Sequence, residues 1–326
     1  MLGALLSLVS AALFGLNTAT LRRGILTGSV LQAMSITVPI GVPLFIITCL
    51  LFDALPSLYQ FPLPSWMWLA LAGVVHFIIG RYGNYRATLA LGATLSSPIQ
   101  QFSVPISLIL AVLLLNEVLT PLRAIGIVLV MVGAFIAVRP AKSGSAREKR
   151  RGNSDFKPDY PNGLFWGAIC AISYGCSPLM VVYGLGQNST LTDSLAGGLI
   201  SYSAAALVIV VPIMLVGRMP FLRKIEPVPA KWFAISGILV FLSQALRYMA
   251  LVVAPVAVVV PIQRLSVIFR LIFSYIMNRD HEVIDLKIVV GIMLSLVGAI
   301  ALTISTNFVT SLLPANFESI ITVQWP

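Results

Sequence analysis

The sequence predicts an all-α membrane protein with about ten transmembrane helices in two inverted five-helix repeats. Two observations support this prediction. The first is composition: the 326-residue chain is 58% hydrophobic and only 10% charged, with a mean hydropathy of +0.97. A soluble domain needs more charge on its surface than this. The second is an internal repeat, which sets the architecture of the whole chain.

The repeat is clearest in two stretches that begin at Tyr85 and Tyr248. Pro98-Ile99-Gln100-Gln101 returns as Pro261-Ile262-Gln263-Arg264. Two glycine pairs share the pattern, since Gly126 and Gly133 return as Gly291 and Gly298. The N-terminal segment is also repeated in mid-chain. Gly3 corresponds to Gly163, Phe14-Gly15 to Tyr174-Gly175, and Gly24 to Gly184. A cleaved leader would have no reason to match a segment in mid-chain, so this segment is predicted to be part of the fold.

About 20 apolar residues are needed to cross a bilayer, and their backbone groups must be bonded within the segment, as in a helix. Ten such runs are predicted, at 2–21, 30–52, 66–86, 93–115, 122–139, 162–184, 193–216, 230–251, 256–277 and 286–305. The predicted domains are a first repeat at 1–139, a basic linker at 140–161, a second repeat at 162–305 and a tail at 306–326. Five spans are an odd number, so the second copy is inverted. Pro98 and Pro261 are predicted to bend the fourth and ninth helices.

The net charge of +10 is explained better by membrane orientation than by nucleic-acid binding, since no aromatic-basic module is present. The cations lie mostly between apolar runs. Arg22-Arg23, the 140–157 segment, the 218–231 loop and the 279–287 loop fall on one face of a ten-helix arrangement. Positive loops are typically cytoplasmic, which predicts that both termini lie outside.

The two copies resemble the EamA-type repeat of the drug/metabolite transporter superfamily. The residues that carry the resemblance are the region after Tyr85, Pro98, Glu117 with Leu119, and the Gly126/Gly133 pair, with their copies. It covers 2–139 and 162–305. The resemblance implies two inverted bundles around a central cavity that is lined mainly by the first four helices of each half. Family members usually carry basic residues between the second and third helices, with cytoplasmic termini. Here the loop from Phe52 to Pro64 has none, which favours the opposite orientation.

Ionisable residues in membrane helices face a cavity or a partner. On the third helix, Arg81, Asn84 and Tyr85 share one face because they are spaced i, i+3 and i+4. Their counterparts on the eighth helix are Gln244, Arg247 and Tyr248. The predicted substrate-binding residues are Arg81, Asn84, Tyr85, Gln100, Gln101, Arg247, Tyr248, Gln263, Arg264 and Arg270. Further candidates are Asn17, His76, Ser177 and Gln244.

Several of these candidates also have a purely structural interpretation. Arg81 and Arg247 would instead extend toward lipid headgroups if they lie near helix ends. Asn17 and Ser177 would instead bond neighbouring helices. His76 would then be a packed, hydrogen-bonded histidine. The sequence leaves these alternatives open.

No Asp or Glu falls within a predicted spanning core, because Asp53, Glu117, Asp280 and Glu282 lie at helix ends. A cavity with unpaired arginines attracts carboxylate or phosphate groups. The sequence therefore predicts a secondary transporter of an anionic or zwitterionic metabolite, such as an amino acid, an organic acid or a phosphorylated or nucleotide-type compound, working by alternating access. The alternatives are a lipid-flipping or assembly subunit without solute transport, and a multidrug exporter.

An enzyme is not predicted, since the chain lacks a nucleophile–base pair, a metal cluster and a buried carboxylate dyad. Cys49, Cys170 and Cys176 lie in apolar runs without metal-ligand spacing. No P-loop is present, so no ATP-driven engine is expected. No cofactor or metal is predicted. The expected partners are a small-molecule substrate and the lipid bilayer of the plasma or inner membrane, with no nucleic acid, in a monomer or homodimer.

Overall fold

A computed structural model describes residues 2–115, 121–138, 157–186, 188–215, 225–278 and 286–303. These residues form helices and short connections, with no strand among them. The all-α fold class is therefore confirmed. The predicted linker up to residue 156, the tail at 306–326, and Glu117, Asp280 and Glu282 lie outside the described residues.

The first half contains eight α-helices and one π-helical segment. Their bounds are α1 Leu2–Ile25, α2 Val30–Thr37, α3 Gly41–Leu51, α4 Ser57–Gln60, α5 Leu63–Gly73, the π segment Val74–Gly80, α6 Arg81–Gln101, α7 Ser103–Leu115 and α8 Pro121–Val138. The second half contains six, which are α9 Tyr160–Leu185, α10 Leu191–Leu215, α11 Pro227–Val253, α12 Val256–Arg264, α13 Ser266–Asn278 and α14 Leu286–Thr303.

These helices make ten spans. Seven stretches of the described chain are long and apolar enough to cross a membrane, and one of them, Leu63–Leu114, has 52 residues. A straight helix of that length would reach about 78 Å, against about 30 Å of hydrocarbon, so it must cross twice. Two shorter apolar helices, Ala124–Gly133 and Leu286–Gly298, lie in α8 and α14. The third span thus joins α5, the π segment and the start of α6, and the fourth joins the rest of α6 to α7.

The turn between the third and fourth spans is a single residue. Gly92 has φ 84° and ψ 166°, which interrupts α6 without leaving the helical hydrogen-bond pattern on either side. This positive φ favours glycine, since other residues would carry a Cβ penalty. The corresponding turn of the second half is Ala254-Pro255, between α11 and α12.

The fourth and ninth spans are interrupted at matched positions. The breaks fall at Phe102 (φ −59°, ψ −17°) and Leu265 (φ −58°, ψ −16°), which separate α6 from α7 and α12 from α13. The predicted position of the bend was wrong. Pro98 lies within α6, and the break comes four residues later, at Phe102. At the break, the N–H groups of both residues bond the carbonyl three residues back instead of four. Both halves therefore carry the same local interruption.

Glycines let the first helix of each repeat pack against the other repeat. A Cβ on Gly15 of α1 would meet Ser266 O, and a Cβ on Gly175 of α9 would meet Ser103 O. Gly3 faces Ala254 in the same way that Gly163 faces Leu91. These contacts are related by the internal repeat. The two halves therefore exchange their first helices, and each half completes the other.

The fifth and tenth spans pair with each other. α8 and α14 make extensive contact along their lengths. The repeated glycines that were predicted to serve packing are buried on these helices, and they are Gly126, Gly133, Gly291 and Gly298. Small residues allow close approach of membrane helices, where lipid offers no hydrophobic driving force.

The close approach of α5 and α10 gives a stability prediction. Gly73 faces the backbone of Ser201, whose hydroxyl donates to Leu69 O at 2.6 Å. A methyl group at position 73 must push two backbones apart, so Gly73→Ala is expected to cost about 1–3 kcal/mol. The melting temperature of the purified protein in detergent measures this cost. Leu71→Phe, on the exposed side of α5, is the control, and equal melting temperatures for both variants would contradict the packing described.

Candidate functional site

Two sets of contacts define the two ends of the bundle. One end of the bundle contains the end of α1, the Gly92 turn and the start of α9. Arg22 of α1 bonds Thr88 O near this turn, and Asp159 N–H, just before α9, donates to Ala90 O at 2.9 Å. We call this end the linker face. At the other end, α1 begins beside the turn at Ala254, which Gly3 contacts. We call that end the far face.

A small cavity with polar side chains in its wall lies between the two halves, with a volume of about 20 Å³, which is room for about one water molecule. It is formed by α1, the π segment, α9, α11, α12 and α13. In α1, α11 and the ninth span, which joins α12 and α13, the lining residues lie near the middle of the span or in the half nearer the far face. The lining consists of Ser10, Ala11, Phe14, His76, Tyr174, Ser243, Gln244, Arg247, Gln263, Arg264 and Ser266. Five of these were predicted as site residues, namely His76, Gln244, Arg247, Gln263 and Arg264.

Arg247 is held in place by two neighbours. Its Nη1 donates to Gln244 Oε1 and its Nη2 to Ser177 Oγ, both at 3.1 Å. The same Ser177 hydroxyl lies 2.7 Å from His76 Nδ1. Arg247 is only 3% exposed, so it does not extend toward headgroups. Three helices of both halves thus fix this guanidinium at the cavity wall.

Arg264 is held less tightly. Its Cζ lies 5.9 Å from the centre of the Tyr174 ring, a cation–π distance. Its Nε is buried, and among the described residues no group accepts a hydrogen bond from it. A buried donor without a partner costs about 1–3 kcal/mol. This donor is therefore available for a group that enters the cavity.

A chain of hydrogen bonds lies on the linker side of the cavity. Arg270 Nη2 donates to Gln100 Oε1 at 3.0 Å, and Gln100 Nε2 donates to Asn84 Oδ1 at 2.7 Å. Asn84 Nδ2 in turn lies 3.5 Å from the hydroxyl of Tyr174, which lines the cavity. Ser97 accepts from Arg270 Nη1 at 3.0 Å. The chain begins at Arg270 and ends at Tyr174, both of the second half, with Gln100 and Asn84 of the first half between them, and so it ties the halves together.

Arg81 has a different environment from Arg247. Its Nη2 donates to the hydroxyl of Tyr202 at 2.8 Å and its Nη1 to Thr37 O at 3.3 Å. The guanidinium also lies 4.9 Å from the Phe77 ring centre. Tyr85 bonds Thr37 Oγ1 at 3.0 Å. Arg81 is 2% exposed, so it is a buried, partnered group that joins α2, α6 and α10.

Of the remaining predicted site residues, Asn17, Gln101 and Gln263 bond neighbouring helices. Asn17 Oδ1 accepts from Ser236 at 2.6 Å, and Gln101 Nε2 lies 3.5 Å from Arg264 O. Gln263 Nε2 donates to Ser10 Oγ at 3.1 Å. Tyr248 is buried on α11. The geometry brings Arg247, Arg264 and Gln263 to one space, places Asn17 and Gln101 in contacts between helices, and buries Tyr248 outside the cavity lining.

Several lining residues were not predicted from the sequence. Phe14 and Tyr174 occupy equivalent positions in the first helix of each repeat, and their rings lie 6.3 Å apart across the cavity. Ser10 and Ser243 bond each other across α1 and α11. The repeat itself was a usable signal for the Phe14/Tyr174 pair. The serines gave no such signal, because a serine in an apolar helix serves helix packing as often as it lines a site.

Arg22 is the most unexpected buried group. It was counted as a loop cation, but it is 0% exposed, and this prediction was wrong. Its Nη1 donates to Thr88 O at 2.9 Å and Leu89 O at 3.1 Å. The Gly92 turn ends the helix there, and basic side chains commonly cap such terminal carbonyls. Only Arg23 of this pair is exposed.

The electrostatics of the interior are one-sided. The buried arginines of the described chain are Arg22, Arg81, Arg247, Arg264 and Arg270. The described acidic residues, which are Asp53, Asp159, Asp193 and Glu226, are all partly or fully exposed. Within the part of the chain that the structure describes, no carboxylate therefore neutralises the buried guanidinium groups. No group of three or more metal-ligating side chains occurs in that part either.

Comparison with known proteins identifies the class. A family model of the EamA-like transporter family matches residues 1–139 and 161–304, which is most of the chain. The protein is a multi-pass membrane transporter. It belongs to the EamA-like transporter family of the drug/metabolite transporter superfamily.

Solved structures share the fold, and 23 of their chains match. One of them, described only as the crystal structure of a protein, has a TM-score of 0.61 at 16% sequence identity. The match covers 92% of this chain and 96% of that one. At this identity the likeness concerns the fold alone. No curated protein matches the chain.

Arg22 gives a prediction about the turn that it caps. Arg22→Leu removes the donor to the carbonyls of Thr88 and Leu89, and a buried acceptor left unpaired costs about 1–3 kcal/mol. The melting temperature of the variant should fall, and Arg22→Lys should recover part of the loss. The exposed neighbour provides the control, since Arg23→Leu should change stability by no more than about 0.5 kcal/mol. If Arg22→Leu and Arg23→Leu have the same melting temperature, the contact of Arg22 with these carbonyls does not contribute to stability.

Proposed function

We propose that the protein is a secondary transporter of a small anionic or zwitterionic metabolite, such as an amino acid, an organic acid or a phosphorylated or nucleotide-type compound. It works by alternating access, as the two inverted repeats rock about the cavity between them. One observation carries the proposal. The buried Nε of Arg264 has no acceptor among the described residues, and Arg264 lines a cavity that Arg247 also lines.

The chemistry of guanidinium selects for anions. Its planar fork matches carboxylate and phosphate groups with two parallel hydrogen bonds. In a site shielded from water, attraction between opposite charges is several times stronger than in bulk water. An entering anion would therefore satisfy the Nε of Arg264 and offset the positive charge of the cavity. Arg247, fixed by Gln244 and Ser177, is positioned to bind the same group without first being ordered.

The same charge argues against a multidrug exporter of lipophilic cations. A buried carboxylate would favour such a cargo, and none of the described acids is buried. A lipid-flipping or assembly subunit without solute transport remains a separate proposal, which a flux measurement distinguishes. A subunit of that kind would show no solute flux in vesicles.

We further propose that the linker face is cytoplasmic in the plasma or inner membrane. Arg22 no longer supports this orientation, but the exposed cations Arg23, Lys231 and Lys287 all belong to helix ends at that face. Positive residues in short loops favour the cytoplasm. A C-terminal reporter that is active only in the cytoplasm should therefore be silent. Strong reporter activity would reverse the assignment of the two faces.

The substrate proposal is tested by flux into liposomes that contain the purified protein. Probes of each charge class are glutamate, malate, uridine monophosphate and the lipophilic cation tetraphenylphosphonium. At least one of the anions should be carried, and Arg264→Gln should lower its kcat/KM by roughly 10-fold or more, because a charge-assisted bond contributes about 1.5–3 kcal/mol. Arg264→Lys should recover only part, since lysine lacks the fork.

Arg86→Gln is the matched control. Arg86 is a half-buried arginine of α6 that stacks over Trp166 at 5.7 Å, away from the cavity lining. Its substitution should leave anion flux within about 2-fold of the unchanged protein, as expected for a residue outside the site. Preference for tetraphenylphosphonium over every anion, or full anion flux in Arg264→Gln, would overturn the proposed site.

A further inference from the structure

The two halves of the protein have the same design, but they are not in the same state. Asn84 of α6 corresponds to Arg247 of α11, and Gln100 of α6 corresponds to Gln263 of α12. In the first half, the two residues are joined, since Gln100 Nε2 donates to Asn84 Oδ1 at 2.7 Å. In the second half, each residue has taken other partners. Arg247 bonds Gln244 and Ser177, and Gln263 bonds Ser10.

The position of each pair relative to the cavity differs in the same way. Asn84 lies near the end of the third span and Gln100 near the start of the fourth, so both belong to the half nearer the linker face. They meet beneath Tyr174, whose ring lines the cavity. Arg247 and Gln263 belong to the half nearer the far face, and both line the cavity itself. One pair therefore closes the space on the linker side, while the equivalent pair stands apart around it.

Each glutamine also lies beside a backbone interruption. The breaks at Phe102 and Leu265 come two residues after Gln100 and Gln263, with nearly identical φ and ψ. Hinge motions are absorbed at a few element-terminal positions of this kind. Gln100 can thus move with the part of α6 that follows Gly92, and Gln263 can move with α12, while α7 and α13 stay in place.

We propose that the Asn84–Gln100 hydrogen bond is the gate that closes the cavity toward the linker face, and that Arg247 and Gln263 form the equivalent gate toward the far face in the alternate state. This inference rests on the transport proposed above, but not on the charge of the substrate. In the alternate state, Arg247 donates to Gln263 Oε1, as Gln100 now donates to Asn84. The guanidinium has five N–H groups, so it can add this bond while it still holds Ser177.

The exchange is energetically balanced. Opening one gate breaks a buried hydrogen bond between neutral side chains, and closing the other forms one that involves a charged donor. Net hydrogen-bond contributions are about 0.5–1.5 kcal/mol for neutral pairs and somewhat more for charged ones. Both states are therefore accessible at equilibrium. A transporter that works by alternating access needs this balance.

Cysteine accessibility tests the gate without knowledge of the substrate. Ser266→Cys places a thiol at the cavity wall in a chain whose native Cys49, Cys170 and Cys176 are replaced by alanine. The probe is a membrane-impermeant, negatively charged methanethiosulfonate, applied to either side of sealed vesicles. Tyr59→Cys, which is 94% exposed in the far-face loop, and Arg23→Cys at the linker face report which side the probe has reached.

With the gate intact, the probe should modify Ser266→Cys faster from the far face than from the linker face. Asn84→Ala or Gln100→Ala should raise the rate from the linker face roughly 2- to 10-fold, the equilibrium factor for one hydrogen bond. Gln100→Glu should act in the opposite direction. Its carboxylate accepts a charge-assisted bond from Arg270 and can also accept from Asn84 Nδ2, which tightens the gate.

Opposite effects of two substitutions at one position separate a gate from simple damage to the fold. If Asn84→Ala, Gln100→Ala and Gln100→Glu all leave the linker-face rate unchanged in protein that inserts normally, or all raise it, the gate proposal is overturned. The anion proposal fails separately, through full anion flux in Arg264→Gln. A reversible short thiol cross-link between Asn84→Cys and Gln100→Cys should stop flux of any carried solute, and reduction should restore it. Undiminished flux in the cross-linked protein would also overturn the gate.

Discussion

The structure depends on keeping arginine side chains out of lipid without neutralising them with carboxylates. Each buried guanidinium of the described chain lies between helices and is held by neutral oxygens or aromatic rings, as Arg81 is by Tyr202 and Phe77. Charge inside a membrane helix is costly unless it is sheltered in this way. The apolar exterior, the exchanged first helices and the cavity all serve to enclose that charge. Among the cavity-lining arginines, Arg264 has a buried Nε that no described group accepts from.

The inverted repeat encloses these arginines by having each half cover the other. Because α1 packs on the second half and α9 on the first, neither half can bury its polar face alone. The glycines that allow these contacts, such as Gly15 and Gly175, recur because the contacts recur. The repeat is broken where function needs asymmetry. The π segment exists only in the first half of the described chain, and it carries His76 to the cavity wall. Insertions of this kind are frequent at functional sites.

The sequence was sufficient for the fold and for part of the site. Composition and the repeat predicted the ten spans, spacing placed Arg247 on a shared polar face, and the repeat pointed to Arg264 as the counterpart of Gln101. It could not separate Arg81 from Arg247, because they look alike as arginines on equivalent helices. They differ by one helical turn within the repeat, which sends one to Tyr202 and the other to the cavity. The contact of Arg22 with the end of the helix could not be predicted either. It depends on the turn at Gly92 and on backbone carbonyl groups, which no side-chain pattern reveals.

The most direct test of the central claim, that the space between the repeats binds anions, is equilibrium stabilisation of the purified protein. A ligand that binds only the folded state stabilises it by about 2.7 kcal/mol at a hundred times its dissociation constant. If the cavity binds anions, the melting temperature should rise with the concentration of a carboxylate or phosphate compound, and this rise should be lost in Arg264→Gln. A melting temperature that responds to tetraphenylphosphonium and to none of the anions would contradict it.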